Sequence, residues 1–572
     1  MESVNGCVPD DLAGRNRVLL ERNKILGDAV YSEPMGLVIR PNNESDKVTR
    51  WGFDVHQSSA WYAVSLARWC VDHAGDCEEA QRRLNRVLLR MCEKQERDPD
   101  SLWYGRIIAR WSWTDASQAP NAVNFWLPEV GYVFYRHRDL LTPETERVMA
   151  DTLERAVEGL NRRGVPWHYT NMYLLRVLSR FTLARALARE DVLEQAIDDW
   201  NVWFRETDRG GVVEYNSPTY TVAAVTPLGR MLDLAPDGVV SRQIETALES
   251  LFADFCWHYH EGTGLLAGAT SRASSGDFLR NSLTSLLAYQ QFGAPLKAVN
   301  LVGAFIALSN YQAPEDYVRW ALQKRAGTTV RASVPARHIR RMTTFGERYA
   351  LGVKSGPAYG AQEMALTLAH PAERQPMLFL RQQPGSNAPF YAELRNHGAL
   401  GGIVFRNPPE HGGSPHHWFR LFLGPPENFE QIEVDGSAWN GEYAAVTDGA
   451  HLRLITDAIT ADFRFGIFPL DGSGGPARCV AYLWYQYEHH QVMVEIVAWG
   501  PTLAGLALSV TEGGSPEAPG QIEWDGAELS SRLPDGEIVA GVPSDEEIRL
   551  PDDLPLLETP EIIWRRGDWT AG

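Results

Sequence analysis

The chain has 572 residues, of which 44% are hydrophobic and 22% are charged, and a chain of this length predicts two to four domains. Asp and Glu outnumber Lys and Arg by 73 to 54, and the net charge of −19 argues against a nucleic-acid-binding protein or one that binds an anionic membrane. The 19 Trp residues favour a ligand that contains rings, such as a carbohydrate, although large helical cores also use Trp.

The cysteines and the N-terminal residues bear on the compartment. The six Cys are scattered and form no CxxC pair, which argues against a disulfide framework or a zinc ribbon and favours a reducing compartment. The first residues, M-E-S-V-N-G-C, lack the basic start and apolar core of a secretory signal. No apolar run reaches the roughly 18 residues of a membrane span. We therefore expect a cytoplasmic protein that does not bind membranes.

Helical hydrophobic patterns follow one another through the first half of the chain. The predicted helices cover residues 54–74, 79–95, 121–137, 143–161, 171–189, 191–205, 217–234, 239–258, 276–292, 295–310 and 314–325. One helix for roughly every 20–25 residues suits antiparallel helix pairs joined by short loops. Because no repeat signature is visible, we predict a closed (α/α) toroid of helical hairpins over residues 1–326 rather than a solenoid.

After residue 326 the pattern changes to short alternating runs separated by Gly, Pro, Asp and Asn. The predicted strands cover residues 340–355, 363–369, 376–383, 401–406, 417–424, 451–456, 461–468, 478–488, 491–499 and 505–511. This pattern predicts an antiparallel β-sandwich over residues 327–512. Residues 513–572 contain the short strand-like pieces E-I-V-A-G-V and E-I-I-W-R-R, and we expect them to pack on the sandwich. The predicted fold class is therefore an α+β multidomain protein.

Proton-transfer and hydrogen-bonding side chains concentrate at the two ends of residues 167–220. The sequence W-H-Y-T-N-M-Y begins this stretch, an apolar stripe at spacings of three and four predicts a helix through its middle, and E-Y-N-S-P-T-Y ends it. Thr170 is the predicted N-cap of that helix, and Ser217 followed by Pro218 predicts the start of the next. The two polar clusters meet if both helix starts lie on one side of the helical array. They comprise His168, Tyr169, Asn171 and Tyr173, and then Glu214, Tyr215, Asn216 and Tyr220.

Other polar and aromatic side chains are candidates for the walls of the same site. W-S-W-T-D and N-F-W-L-P-E supply indole, carboxamide and carboxylate groups, and W-H-Y-H-E at 257–261 supplies an imidazole. The alternative is that these residues pack between helices, and that the Asn and Tyr near helix starts are caps or half-buried packing residues. The predicted substrate-binding residues are Tyr169, Tyr173, Asn216, Trp111, Trp113, Asn124, Trp126, Glu129 and His258.

A helical toroid followed by a large antiparallel β-domain, with T-N-M-Y-L-L heading one helix and E-Y-N-S-P-T-Y about forty residues later, resembles the heparinase II/III-like and alginate-lyase-like polysaccharide lyases. The segments Y-A-L-G-V at 349–353 and S-R-A-S-S-G-D-F at 271–278 are more weakly similar to segments of that family. The resemblance covers most of the chain in architecture but only residues 167–220 in motif. It implies β-elimination beside a uronate carboxyl group, with no cofactor required.

The resemblance also implies roles for single residues. Asn171 matches the Asn that neutralises the uronate carboxylate, Tyr220 or Tyr215 matches the Tyr acid/base, and Arg272 is a candidate second donor. The family often has His directly after that Asn, where this chain has Met172. Either another imidazole replaces it, of which His168 is the nearest in sequence, or the carboxylate clamp is absent and the fold serves a different reaction.

The resemblance further leaves open a structural zinc in the β-domain, because some family members bind one there through His and Asp. The residues available in this chain are His411, His416, His417, Asp448, His451, His489 and His490. Spacing alone does not select ligands among them. A zinc site at His258, His260 and Glu261 is weakly indicated, because the HxHE pattern has no partner motif.

Three functions from different classes follow. The first is a carbon–oxygen lyase that cleaves a uronate-containing oligosaccharide by Tyr-dependent β-elimination. The second is a biosynthetic enzyme on the same scaffold that catalyses elimination, cyclisation or rearrangement of a small hydrophobic molecule, which Met172, the acidic net charge and the lack of a signal sequence favour. The third is a non-catalytic carbohydrate-binding or scaffold protein. Motifs for nucleotides, dinucleotides, serine hydrolases and zincins are absent from the sequence, and the sequence does not indicate an oligomeric state.

Overall fold

The computed structural model describes residues 8–40, 52–272, 282–296, 301–334, 338–356, 362–369, 377–382, 390–395, 397–405, 417–424, 426–439, 444–446, 449–470, 478–486, 489–498, 502–513, 518–525, 527–533 and 536–541. The chain divides into two compact units. The helical unit comprises Met1–Asp208, Val222–Phe252 and Ser282–Pro314. The sheet unit comprises Arg209–Thr221, Ala253–Asn281 and Glu315–Gly572. The predicted boundaries at residues 326 and 512 stay predictions.

The helices of the described residues follow the predicted order. They are α1 Leu12–Val30, α2 Ser58–Asp72, α3 Glu78–Glu93, α4 Val123–Arg136, α5 Pro143–Arg162, α6 Thr170–Leu187, α7 Glu190–Gly210, α8 Tyr220–Leu232, α9 Val239–His258, α10 Ser282–Phe292, α11 Gly303–Ala307 and α12 Glu315–Leu322. The largest difference in length is at α11, which has five residues where a helix over 295–310 was predicted, and residues 297–300 of that span lie outside the described residues. None of the helices in these ranges is long and apolar enough to span a membrane.

Helix α1 was not predicted, because polar residues form much of its buried face. Arg15 donates from Nε to the Gln290 carbonyl at 2.6 Å, and Asn16 donates from Nδ2 to the Ser309 carbonyl at 3.2 Å. Both side chains are buried. A buried face that is held by hydrogen bonds leaves no apolar stripe in the sequence.

The start of α6 differs by one residue from the prediction. Tyr169, and not Thr170, is the N-cap, because the Tyr169 carbonyl accepts the first helical hydrogen bond from the Tyr173 N–H at 2.9 Å. A turn in which the Tyr169 N–H donates to the Pro166 carbonyl at 3.0 Å places Tyr169 there. Thr170 is the first helical residue and is buried. Asn171 still lies in the first turn, as predicted.

The strands are antiparallel and form two large sheets. In chain order the strands of both are β6 Thr329–Val334, β7 Ile339–Phe345, β8 Tyr349–Ser355, β9 Met364–Leu368, β10 Met377–Gln382, β11 Phe390–Arg395, β12 Gly398–Phe405, β13 His417–Gly424, β14 Gln431–Val434, β15 Ser437–Ala438, β16 Ala444–Val446, β17 His451–Ile455, β18 Ile459–Pro469, β19 Arg478–Gln486, β20 His489–Ala498 and β21 Thr502–Glu512. The nine-stranded sheet has the order β16-β19-β20-β13-β10-β9-β8-β7-β6, and the seven-stranded sheet has the order β11-β12-β21-β18-β17-β14-β15.

Small sheets complete the strand set of the described residues. They are β1 Tyr31–Ser32, β2 Leu37–Arg40 and β3 Gly52–Phe53, then β4 Tyr259–His260 and β5 Leu265–Leu266, and finally β22 Ile522–Trp524, β23 Glu528–Leu533 and β24 Gly536–Gly541. The last three correspond to part of the predicted tail, including residues 537–541 of E-I-V-A-G-V, whereas Val542 and E-I-I-W-R-R lie outside the described residues.

The predicted strand over 340–355 is instead the hairpin β7–β8. Gly346 begins the turn, and its N–H donates to the Tyr349 carbonyl at 2.9 Å. A glycine is needed at this position because the Cβ of any other residue would lie 2.2 Å from the Tyr349 ring. A two-residue side-chain period continues through such a turn, so periodicity alone does not reveal it.

Both large sheets contribute to one apolar cluster. Leu351 and Leu366 come from the nine-stranded sheet, and Phe463 and Leu506 come from the seven-stranded sheet. A second cluster packs β22–β24 against β12 and β21. The mixed architecture of helices and antiparallel sheets is thus confirmed, while the closed toroid and the sandwich stay predictions.

A fully buried ion pair joins β8 to the residue before β9. Lys354 Nζ lies 3.0 Å from Glu363 Oε2, and both side chains are 0% exposed. The backbone N–H of Lys354 also donates to the Glu363 carbonyl at 2.9 Å. A charge that is buried this completely depends on its partner.

We expect Glu363→Gln to lower the free energy of unfolding by roughly 3–5 kcal/mol, because it leaves the Lys354 ammonium buried without a counter-charge. Urea unfolding measures the change. The matched control is Asp457→Asn in the exposed Arg348–Asp457 pair, which should cost at most about 1 kcal/mol. The double variant Lys354→Met with Glu363→Leu should recover most of the loss. Equal effects of the buried and exposed substitutions would contradict the expectation.

Candidate active site of the sheet unit

Two segments of the sheet unit, 214–220 and 267–272, are joined through one asparagine. Asn216 donates from Nδ2 to the carbonyl of Ala267 at 2.7 Å and to that of Ala269 at 3.2 Å. Its backbone has φ of +45°, a left-handed conformation that Asn adopts more readily than most residues. Asn216 was predicted to bind substrate, and the structure shows it buried with both amide hydrogens engaged by the neighbouring segment.

Two serines add bonds between the same segments. Ser271 donates from its hydroxyl to the Tyr215 carbonyl at 2.9 Å, and its N–H donates to the same oxygen at 3.2 Å. Ser217 donates from its hydroxyl to the Arg272 carbonyl at 2.9 Å. The backbone of Arg272 is therefore held directly against the segment that carries Tyr215 and Tyr220.

Ser217 also caps the start of α8. Its side-chain oxygen accepts from the Tyr220 N–H at 3.1 Å, and its carbonyl accepts from the Thr221 N–H at 3.0 Å. The predicted cap is confirmed, but the helix begins at Tyr220 and not at Pro218. Tyr220 therefore lies at the first position of α8, with its side chain half-buried.

Two glycines allow β8 to approach the 267–272 segment. A Cβ on Gly352 would lie 2.3 Å from the Gly268 Cα, so only a residue without a side chain fits. Gly268 itself has φ of +90°, and its own Cβ would lie 2.2 Å from Thr343 Oγ1. Gly352 belongs to the segment Y-A-L-G-V, which the sequence singled out. Its local role is to let the backbone that leads to Arg272 lie against β8.

Arg272 is shared between a carboxylate and a phenol. Its Nη1 donates to Glu214 Oε1, and its Nη2 donates to the Tyr220 hydroxyl oxygen at 3.2 Å. The guanidinium carbon lies 4.1 Å from the centroid of the Tyr220 ring. The Glu214 side chain is 2% exposed, whereas that of Arg272 is 31% exposed. The buried carboxylate of Glu214 thus orients the partly exposed guanidinium of Arg272 against the half-buried phenol of Tyr220.

Tyr215 occupies a different environment from Tyr220. It is 3% exposed, and the Arg341 guanidinium carbon lies 4.9 Å from its ring centroid. Burial raises the pKa of Tyr215, and the negative charge of Glu363 raises it further. The Tyr215 phenol is therefore neutral at ordinary pH and shielded from solvent.

Arg341 is held in turn by Asp254 near the end of α9. Arg341 Nη2 donates to Asp254 Oδ1 at 3.1 Å, and His258 Nδ1 lies 3.2 Å from the same oxygen. Burial acts to raise the pKa of Asp254, but the attraction of Arg341 and His258 outweighs it and leaves that pKa below its ordinary value. His258, a predicted substrate-binding residue, is 1% exposed and belongs to this buried network.

The start of α6 carries the predicted Asn171 in the helical unit. Asn171 and Met172 are buried, whereas His168 and Tyr169 are half-buried. The Tyr173 hydroxyl donates to the Asp199 carbonyl at 3.0 Å, and burial raises the pKa of Tyr173. Because Asn171 and Tyr220 belong to different units, the convergence of the two polar clusters stays a prediction.

The remaining predicted residues of the helical unit have packing partners. Trp111 lies beneath two cations, with Arg90 at 4.4 Å and Lys94 at 5.2 Å from its ring. The Trp113 carbonyl accepts from Lys94 Nζ at 2.8 Å. On α4, Asn124 and Trp126 are buried, and so is Glu129, whose Oε1 accepts from Arg230 Nη1 at 2.8 Å. Burial raises the pKa of Glu129, an effect that Arg230 opposes. Roles of these residues toward a substrate stay predictions.

Sequence reasoning assigned no role to Glu214, Arg341 or Asp254, although the structure places them around the predicted tyrosines. Glu214 stands in the E-Y-N-S-P-T-Y motif, so its position beside two tyrosines was the available signal. Arg341 lies in the alternating run of β7, where it occupies an inward position that sequence patterns assign to apolar residues.

The described residues contain no group of three or more His, Cys, Asp and Glu side chains arranged to hold a metal ion. His451 is the predicted zinc ligand with a described side chain, and its Nε2 lies 2.5 Å from Asp462 Oδ1. Arg453 Nε donates to the same carboxylate oxygen at 2.8 Å, so that oxygen already has partners within the protein. The positions or side chains of His411, His416, His417, Asp448, His489 and His490 lie outside the described residues, and the zinc site stays a prediction.

Comparisons with known proteins give distant similarities. Residues 18–300 match a family described as a domain of unknown function, DUF8769. Among solved structures, a chondroitinase AC lyase is 9% identical with a TM-score of 0.46, covering 92% of this chain and 88% of its own. A chondroitin AC lyase of Streptomyces coelicolor A3 is 10% identical with a TM-score of 0.44, covering 94% and 85%.

A heparinase III is likewise 10% identical, with a TM-score of 0.41, and the match covers 94% of this chain and 92% of the heparinase. No curated protein matches the sequence. At these identities neither an activity nor a residue role transfers to this chain.

The Asp254–Arg341 pair predicts a pH-dependent contribution to stability. We expect Asp254→Asn to lower the free energy of unfolding at pH 7 by about 1.5–3 kcal/mol, because a buried charge-assisted bond is lost. The folded-state pKa of Asp254 lies below its unfolded value, so the contribution is present above about pH 4 and is lost as the pH falls further. Urea midpoints of the wild type and the variant from pH 7 to pH 3 test this.

The difference between the two proteins should shrink below about pH 4, where Asp254 begins to bind a proton. Asp208→Asn, at an exposed carboxylate on α7, is the control and should show a small difference at every pH. A wild-type-to-variant difference that stays constant down to pH 3 would assign the effect of Asp254→Asn to packing.

Proposed function

We propose that the protein is a carbon–oxygen lyase that cleaves a uronate-containing oligosaccharide by β-elimination, with Tyr220 as the proton-transferring residue. The observation that carries the proposal is the position of Arg272, whose guanidinium binds the Tyr220 oxygen while Glu214 holds the other side. The resemblance of residues 167–220 to polysaccharide lyases supplies the reaction class. Their chemistry needs a phenol that can lose and regain a proton.

In the proposed step, the Tyr220 phenolate takes the proton from C5 of the uronate. The electron pair of that C–H bond forms the C4–C5 double bond, the bond from C4 to the glycosidic oxygen breaks, and the departing oxygen takes a proton. A group that has just accepted the C5 proton can supply it. No redox change and no external nucleophile are needed, so the step balances with the residues at hand.

The guanidinium of Arg272 favours the charged form of the phenol beside it. A cation within hydrogen-bonding distance of an oxygen stabilises negative charge on that oxygen. Arg272 Nη2 lies 3.2 Å from the Tyr220 oxygen, and Glu214, which is 2% exposed, keeps the guanidinium from turning away. Tyr215 is buried and neutral, and among the described residues no guanidinium donates a hydrogen bond to its hydroxyl oxygen. The geometry therefore favours Tyr220 over Tyr215.

Asn171 completes the proposal as the donor that neutralises the uronate carboxylate. Loss of the C5 proton places negative charge on the carboxyl group, and a fixed amide donor stabilises that charge. This role rests on the family resemblance, and it requires the start of α6 to face the Tyr220 site.

A second function is favoured by a specific observation at Arg272. Its positive charge is offset by the buried carboxylate of Glu214, and the position after Asn171 holds Met172, which is 1% exposed. A clamp with these two features is less positive than a uronate requires. The alternative is a biosynthetic enzyme on the same scaffold, in which Tyr220 moves a proton during elimination, cyclisation or rearrangement of a small hydrophobic molecule.

We expect Tyr220→Phe to abolish turnover while leaving the melting temperature close to that of the wild type, because only the half-buried hydroxyl is removed. The assay is the ultraviolet absorbance of the conjugated product, measured across a panel of uronate-containing oligosaccharides. Tyr215→Phe should keep most of the turnover, and Tyr135→Phe, at a tyrosine that is 38% exposed on α4, is the matched control.

Near-normal turnover of Tyr220→Phe would remove Tyr220 from the mechanism. Loss of turnover in Tyr215→Phe alone would transfer the proton-transfer role to Tyr215. If the wild type gives no absorbance change with any oligosaccharide of the panel, the small-molecule enzyme becomes the favoured function.

Asn171→Ala should lower kcat by about 10²–10³-fold, as the loss of a donor to a developing anion does in other enzymes. The matched control is Asn23→Ala, because Asn23 is also a buried asparagine of the helical unit and donates to Ser65 Oγ at 2.7 Å. That control should lower the melting temperature with little effect on kcat. If Asn171→Ala behaves in the same way as the control, Asn171 serves the helix and not the reaction.

A further inference from the structure

Four arginines gather around the C-terminal end of α5 in the helical unit. We call them the arginine cluster, and its members are Arg106, Arg163, Arg176 and Arg180. Arg106, Arg176 and Arg180 are each less than 9% exposed, and Arg163 is half-buried. Four guanidiniums in one buried region of a chain with a net charge of −19 require compensating negative charge.

One carboxylate compensates two members of the cluster. Asp199 Oδ2 lies 3.0 Å from Arg176 Nε and 2.7 Å from Arg180 Nη1. Arg180 Nη2 also donates to Asn161 Oδ1 at 2.8 Å. Among the described residues Asp199 is the carboxylate within ion-pair distance of the cluster, so four positive charges face one negative charge.

Arg106 binds backbone carbonyls instead of a carboxylate. Its Nη1 donates to the Pro120 carbonyl at 2.5 Å and its Nη2 to the Gly159 carbonyl at 2.9 Å. Arg176 Nη1 similarly donates to the Leu160 carbonyl at 2.8 Å. The bonds to Gly159 and Leu160 cap the last turn of α5, where the helix dipole contributes roughly half a negative charge, whereas Pro120 lies in the segment before α4. Bonds to backbone carbonyls therefore satisfy these Nη donors of Arg106 and Arg176, but more than two positive charges remain without compensation.

Three buried donors of the cluster have no hydrogen-bond partner among the described residues; one is Arg180 Nε, and the other two belong to guanidiniums beside Trp103. Arg106 Nε and Arg163 Nη1 are buried and have no hydrogen-bond partner among the described residues. The two guanidinium carbons lie 5.6 and 5.3 Å from the Trp103 ring centroid. Trp103 and Arg163 are half-buried, so this edge of the cluster reaches the surface. Burial, and then the charges of Arg163 and Arg176, lower the pKa of Arg106 to about 10.

We propose that the arginine cluster is a binding site for an oxyanion, namely a carboxylate, sulfate or phosphate group, which accepts from Arg106 Nε and Arg163 Nη1 beside Trp103. A bound anion supplies the missing negative charge and the missing acceptors at once. Guanidinium N–H donors suit such groups because a hydrogen bond between two charged partners is stronger than one between neutral groups, and each arginine can supply one donor to the anion. The site is independent of the proposed elimination, since it rests on residues with no part in that reaction.

Inorganic sulfate is the probe, titrated at constant ionic strength by replacing chloride, with Trp emission and melting temperature as the two measurements. The wild type should show a saturable rise in melting temperature, because a ligand that binds the folded state stabilises it. Arg163→Gln should weaken the half-saturation at least about tenfold, since it removes one of the two donors. Arg163 is half-buried, so its substitution spares the buried capping bonds.

The matched control is Arg147→Gln, which removes the same charge from an exposed position on α5 and should respond to sulfate as the wild type does. Trp103→Phe should lose the emission change but keep the rise in melting temperature. An equal response of the wild type, Arg163→Gln and Arg147→Gln would overturn the proposal in favour of a general salt effect, and so would the absence of any saturable response.

The source of the anion is distinguished by competition. If a uronate disaccharide displaces sulfate from the wild type, the site binds an acidic group of a carbohydrate. If sulfate binds and the disaccharide does not displace it, the site binds a free inorganic anion. Both outcomes support an oxyanion site at Arg163, and neither depends on turnover at Tyr220.

Discussion

The site in the sheet unit depends on the hydrogen bonds by which Asn216 joins two chain segments. Its amide donates to the Ala267 and Ala269 carbonyls, and its left-handed backbone turns the chain between Tyr215 and Ser217. Because of that turn, one tyrosine is buried before Asn216 and another stands half-buried after it. The predicted contact of Asn216 with substrate stays a prediction, whereas its amide bonds, together with the bond from Ser217 to the Arg272 carbonyl, hold the segment of Tyr220 against that of Arg272.

The Tyr220 site and the arginine cluster differ in how their buried positive charge is compensated. In the sheet unit each buried or half-buried cation near the site has its own carboxylate: Glu214 for Arg272, Asp254 for Arg341 and Glu363 for Lys354. Such pairing fixes geometry, because a guanidinium with a buried partner has one favourable orientation. In the helical unit the arginine cluster has Asp199 for four guanidiniums. Cations that each have a carboxylate partner suit a site that positions a phenol, and arginines in excess over carboxylates suit the proposed binding site for an anion.

Much of the fold was predictable because hydrophobic periodicity records which face of an element is buried. It found α6 and α9 closely and located most long strands, but it missed α1, where Arg15 and Asn16 are buried by hydrogen bonds to distant carbonyls. It also merged β7 with β8, since a tight turn at Gly346 does not interrupt a period of two. Patterns in sequence register apolar burial, and they do not register which polar group a distant carbonyl will accept.

Only the part of the candidate site that lies within one short motif was predictable from the sequence. Tyr215, Asn216 and Tyr220 share one short motif, so their proximity follows from the chain itself. Arg272 was predicted only from the family resemblance. Asp254 and Arg341 were not predicted, because the contact between them joins residues 87 positions apart. No local pattern encodes such a contact.

The charge at Arg272 constrains the reaction more tightly than the identity of the tyrosine does. A guanidinium whose carboxylate partner is 2% exposed cannot also neutralise a uronate at full strength, since Glu214 already offsets its charge. What it still offers is a directed N–H toward the Tyr220 oxygen, and that favours a phenolate without demanding an acidic substrate. In the proposed reaction, proton transfer by Tyr220 and recognition of a uronate therefore rest on different residues: the first rests on Tyr220 and Arg272 of the sheet unit, and the second also on Asn171 of the helical unit.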